Sequence, residues 1–72
     1  MTYLEAIADS LAQNVLADPA NLDSNIAIDL MASAISASSA TLQETFLTAI
    51  RIRRAEIRAQ AVLDKYNAKS KT

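Results

Sequence analysis

Apolar residues near the amino terminus recur every three or four positions, which places them along one side of a helix. They are Leu4, Ile7, Leu11 and Val15. Thr2 and Glu5 have the spacing of a capping box, in which each side chain accepts a hydrogen bond from the other residue's backbone amide. The residue before a proline avoids the helical region, so Asp18 and Pro19 mark a boundary. The pattern predicts a first helix over residues 3–17.

The next helix, predicted over residues 20–38 with Asp18 as its N-cap, is apolar on two sides. One side holds Ile26, Leu30, Ala34 and Ala37, and the other holds Ile28, Met31 and Ile35. A helix that is apolar nearly all round is typical of a buried position. Because a chain of this length covers only one side well, the sequence predicts a protein interface that includes Ile28, Met31 and Ile35.

Small residues dominate positions 32–41, where the second helix meets the third. Thr41 and Glu44 have the spacing of a second capping box, which favours a new helix over residues 42–66. One continuous helix through this segment is the alternative.

The third predicted helix carries two apolar stripes on opposite sides, at 100° per residue. The first holds Leu42, Phe46, Ile50 and Ile57, and the second holds Ile52, Ala55, Ala59, Val62 and Tyr66. Two apolar sides predict two partners. The first stripe would complete the chain's own bundle, and the second would contact another protein or another copy.

The composition supports an all-α fold. The 72 residues include no glycine, cysteine or histidine, and only one proline. Without glycine, tight hairpins are disfavoured, and without cysteine or histidine neither a disulfide nor a zinc site is expected. Oligomerisation is the remaining way to stabilise so short a chain. The prediction is a helical hairpin or small three-helix unit over residues 1–66, with a long C-terminal helix, a polar basic tail over 67–72, and packing in an oligomer.

The chain predicts no membrane span. Its most apolar window, residues 26–40, is shorter than the roughly 20 residues that a span requires. The amino terminus lacks the basic segment of a cleaved signal peptide. A cytoplasmic location is expected, with export that needs no cleaved signal as the alternative.

Charge is divided unequally along the chain. Residues 1–50 contain six acidic residues and no basic one, whereas residues 51–72 contain seven basic and two acidic residues. The two segments therefore carry net charges of −6 and +5. Four of the basic residues form a stripe on the third helix: Arg51, Arg54, Arg58 and Lys65. Such a stripe can bind phosphate or an acidic partner, but a solvated surface that pairs with the acidic half is the favoured interpretation.

The sequence contains no obvious catalytic residues. There is no histidine, cysteine or glycine-rich phosphate loop, and Glu44 and Glu56 lie more than three helical turns apart. We expect no enzymatic activity, no cofactor and no small-molecule substrate. The expected function is that of a structural or interaction protein, a helical subunit of a homo- or hetero-oligomeric assembly. The alternatives are a nucleic-acid-binding helical protein and a small adaptor or inhibitor that docks on one protein partner.

Overall fold

The structure, a computed structural model, describes residues 1–70. It contains helix α1 (Tyr3–Leu16), a 3₁₀ helix (Pro19–Leu22), α2 (Ile26–Ser36) and α3 (Ala40–Ser70). No strand occurs in this part of the chain. The predicted all-α fold, with three α-helices and a long C-terminal one, is confirmed.

Helix α1 begins with the predicted capping box. The Thr2 amide donates to Glu5 Oε1 at 3.0 Å, and the Glu5 amide donates to Thr2 Oγ1 at 3.2 Å. Hydrogen bonding from Thr2 to the Glu5 carboxylate, from the backbone amide first and then from the side chain, favours the ionised form and lowers the pKa of Glu5.

The second predicted helix is divided in two. Asp18 caps only the short 3₁₀ helix, where it accepts a bond of 3.0 Å from the Ala20 amide. Helix α2 begins six residues later than predicted, at Ile26. The interruption contains Asp23, Ser24 and Asn25, whose short polar side chains compete with the backbone for hydrogen bonds and disfavour a helix interior.

The predicted break between α2 and α3 is present, but it has a different cap. The Ser38 and Ser39 amides both donate to the Ile35 carbonyl, at 3.0 and 2.9 Å, and close the end of α2. Ser39 Oγ then accepts from the Leu42 amide at 3.1 Å. Thr41 therefore lies inside the first turn of α3 and is not its N-cap. None of the described residues has a positive φ, so these turns form without glycine.

Helix α3 also ends later than predicted. Residues 67–70, expected to be a polar tail, continue the helix to Ser70, and residues 71–72 lie outside the described part of the chain. No proline or glycine stops the helix after Tyr66, and Lys69 in the last turn complements the negative end of the helix dipole.

The core lies where α1 and α2 each pack on α3. The turn before α2 contacts the middle of α3, so α2 runs opposite to α3. Ala8, Ala12 and Phe46 are completely buried, and the two alanines allow α1 to approach α3 closely. The remaining buried residues are Val15, Leu16, Ile28, Ala32 and Ile50. This is a small core, which is expected to give marginal stability.

Candidate protein-interaction surface

One side of α3 faces away from the core. The residues predicted to form the second stripe, here called the outer stripe, are Ile52, Ala55, Ala59, Val62 and Tyr66, and all are exposed. The exposed fraction is 63% for Ile52, 69% for Val62 and 68% for Tyr66. On the opposite side of the same helix, Phe46 and Ile50 are buried in the core.

The carboxy-terminal part of α3 extends beyond the other helices. Every residue from 58 to 70, here called the projecting segment, is exposed. At 1.5 Å per residue this segment is about 20 Å long. Beyond the bonds of Arg58 to the turn before α2, this exposure leaves little packing against the rest of the described chain, and an isolated helix of this length is marginal in water.

The two sides of α2 are placed differently from the prediction. Ile28, predicted at a protein interface, is buried in the chain's own core, and Met31 and Ile35 are half-buried against it. The opposite side, here called the outer face of α2, is exposed: it consists of Ile26, Leu30, Ala34 and Ala37. The exposed fractions of Ile26 and Leu30 are 74% and 69%. The assignment of Ile28 to an intermolecular contact is therefore wrong.

An ion pair that the sequence analysis missed connects α1 to α3. Arg53 donates to both carboxylate oxygens of Asp9, from Nε at 2.7 Å and from Nη2 at 2.6 Å, and Arg53 also bonds to Glu56 at 3.0 Å. Hydrogen bonding from Arg53 lowers the pKa of Asp9, while the same bond raises the pKa of Arg53. The sequence did contain a signal for this ion pair, since Arg53 lies between Phe46 and Ile57 on the side of α3 that faces the core.

Because the folded-state pKa of Asp9 is depressed, its ion pair stabilises the fold above the unfolded-state pKa. We expect this contribution to decline as the pH falls from about 5 toward the folded-state pKa. Asp9→Asn should lower the melting temperature at pH 7 and should flatten its dependence on pH in the acid range. Thermal unfolding of both proteins between pH 2 and 7 tests this, with Glu44→Gln, which removes an exposed carboxyl on α3 and leaves Asp9 and Arg53 in place, as the control. If Asp9→Asn lowered the melting temperature by the same amount at every pH, this role of the ion pair would be contradicted.

The basic stripe is partly used within the chain. Arg54 donates to Asn25 Oδ1 at 2.9 Å and to the carbonyls of Asn21 and Ser24 at 2.8 and 3.0 Å. Arg58 reaches the Leu22 carbonyl and Asp23 at 3.2 Å. These two arginines hold residues 21–25 against α3. Arg51 and Lys65 are exposed, so the four side chains do not form one uniform free surface.

Arg54→Ala is expected to destabilise the subunit by about 2 kcal/mol, since hydrogen bonds to charged groups contribute roughly 1.5–3 kcal/mol. Arg54→Lys should recover only part of this, because an ammonium group cannot reproduce the planar fork of a guanidinium. Chemical denaturation measures both variants, and Arg51→Ala, at an exposed site on the same helix, is the matched control. An Arg54→Ala variant as stable as Arg51→Ala would contradict the role of Arg54 in holding the turn.

Neither a membrane-spanning helix nor a cluster of metal-ligating side chains occurs in residues 1–70. No protein-family model, curated protein or solved structure matches the chain. The function is therefore inferred from the surface geometry itself.

Proposed function

We propose that this chain is a non-enzymatic helical subunit of a larger protein assembly and that the outer stripe of α3 is its contact with another chain. The observation that carries the proposal is the exposure of Ile52, Val62 and Tyr66 along a projecting helix. Each lies on the side of α3 opposite to the chain's own core.

The free energy of burying apolar side chains favours a partner that covers the outer stripe. Burying a large apolar side chain contributes roughly 1.5–3 kcal/mol, and the outer stripe leaves three such side chains in water. Between them, Ala55 and Ala59 are small enough for a partner helix to approach closely. The chain has no disulfide to offset its small core, which makes the contribution of a partner larger in proportion.

The intrachain bonds of Arg54 and Arg58 argue against nucleic-acid binding as the main function. A phosphate partner would have to compete with the Asn21, Leu22 and Ser24 carbonyls for these guanidinium groups. An adaptor that docks on one partner would use the same outer stripe and would differ from an assembly subunit in stoichiometry.

Photo-cross-linking in the producing cells tests the proposal. A benzophenone side chain placed at position 62 should give discrete adducts larger than the single chain. The same group at position 61, which is also exposed but lies about 100° away around α3, should give far fewer. Absence of adducts at position 62, or equal yields at both positions, would overturn the proposal.

A further inference from the structure

We propose that the outer stripe of α3 is covered by the outer face of α2 from a second copy of this chain, an inference that rests on the proposed function. The chain has two extended apolar surfaces in water, and a single kind of contact covers both. Each copy then offers its outer stripe to one neighbour and its outer face of α2 to another. Such a head-to-tail contact produces a ring if the rotation closes and a filament if it does not.

The two surfaces match in spacing, with large and small side chains interchanged. Ile26 and Leu30 on α2 are four positions apart, as are Ala55 and Ala59 on α3, and Ala37 and Tyr66 each follow seven positions later. With the helices aligned in the same direction, the facing pairs are Ile26 with Ala55, Leu30 with Ala59 and Ala37 with Tyr66, while Val62 lies opposite the exposed Ser33 beside the outer face. Large side chains opposite small ones allow the helices to interdigitate.

Charge also favours this pairing of unlike surfaces. The half of the chain that contains α2 carries no basic residue, and Asp29 is exposed beside the outer face of α2. The outer stripe is flanked on one edge by exposed Arg51 and by Arg58, which is paired with Asp23, and on the other by Glu56, which is bonded to Arg53. The opposite net charges of the two halves steer this association of unlike surfaces.

A symmetric contact between two outer stripes is less favourable on the same grounds. It would place the rows containing Arg51, Arg58 and Lys65 of both copies in one interface. It would also leave Ile26 and Leu30 exposed, at 74% and 69%.

Mixing two blocked variants of the full chain separates these arrangements. Leu30→Asp should block the outer face of α2 and leave the outer stripe intact. Val62→Asp should block the outer stripe and leave the outer face of α2 intact. Both residues are exposed, so both variants should retain the helical content of the unmodified chain by circular dichroism. Ile26→Asp and Tyr66→Asp provide a second pair at exposed sites, to be used if either of the first variants loses helicity.

The expected result is that each variant alone sediments as one chain, that an equimolar mixture forms a species of two chains, and that the unmodified chain forms larger species. Raising the salt concentration should weaken the mixed species, because screening reduces attraction between exposed charges. Continued self-association of Leu30→Asp alone would indicate a symmetric stripe contact and would overturn the inference. A monomeric mixture, or an unmodified chain that is monomeric throughout, would overturn it as well. In the monomeric case, cross-links from position 62 to a different protein would leave the proposed function standing.

Discussion

Phe46→Asp is expected to unfold the subunit. Phe46 is completely buried between α3 and the helices that pack on it, and removing a buried phenylalanine side chain alone costs about 3–5 kcal/mol. A domain of this size has a total stability of roughly 4–11 kcal/mol, at about 0.05–0.15 kcal/mol per residue. Placing a carboxylate in the same site adds a desolvation cost, so little stability should remain.

Circular dichroism of Phe46→Asp should show loss of most helical signal at 25 °C. Phe46→Leu, which keeps an apolar side chain in the core, should remain folded with a lower melting temperature. A Phe46→Asp protein with the helicity and melting temperature of the unmodified chain would show that this residue is not the centre of the core.

Val62→Asp is expected to have the opposite effect: the fold should persist, and association should weaken at least tenfold. Tenfold corresponds to 1.4 kcal/mol, less than the roughly 1.5–3 kcal/mol of one buried large side chain. The exposed fraction of Val62 is 69%, so its replacement leaves the intrachain core untouched. Concentration-dependent light scattering measures the association.

Ala61→Asp is the matched control for Val62→Asp. It introduces the same charge one residue earlier, on an exposed part of α3 outside the outer stripe, and should leave the association constant within a few-fold of its original value. Equal weakening by both variants would show that net charge, and not the outer stripe, governs association.

Much of the fold was predictable because local patterns determine it. The capping box at Thr2 and Glu5, the boundary at Pro19 and the two opposite stripes of α3 depend on neighbouring residues alone. The start of α2 was not predicted, because several short polar side chains after Pro19 were each acceptable in a helix on their own. Together with the bonds from Arg54, they hold a non-helical turn.

The inward side of α2 could not be chosen from periodicity. Both Ile26 and Ile28 belong to apolar sides with helical spacing, and the direction in which α2 packs on α3 decides which one is buried. The pairing of Asp9 with Arg53 was missed for a related reason, since 44 positions separate the two residues. Only the packing of α1 on α3 brings them together.

The outer stripe itself was predicted residue by residue, because a long helix whose apolar direction changes cannot bury both sides in a small unit. Its exposure places Ile52, Val62 and Tyr66 at the surface. The second exposed surface, on α2, became visible only once the inward side of that helix was known, so the proposed pairing of the two surfaces could not be predicted from the sequence.

Sedimentation equilibrium of the purified, unmodified chain is the most direct measurement of association. Over a concentration range from micromolar to millimolar at low salt, we expect a mass that rises above that of one chain and reaches more than two chains. A mass equal to a single chain at every concentration would contradict self-assembly through the outer stripe.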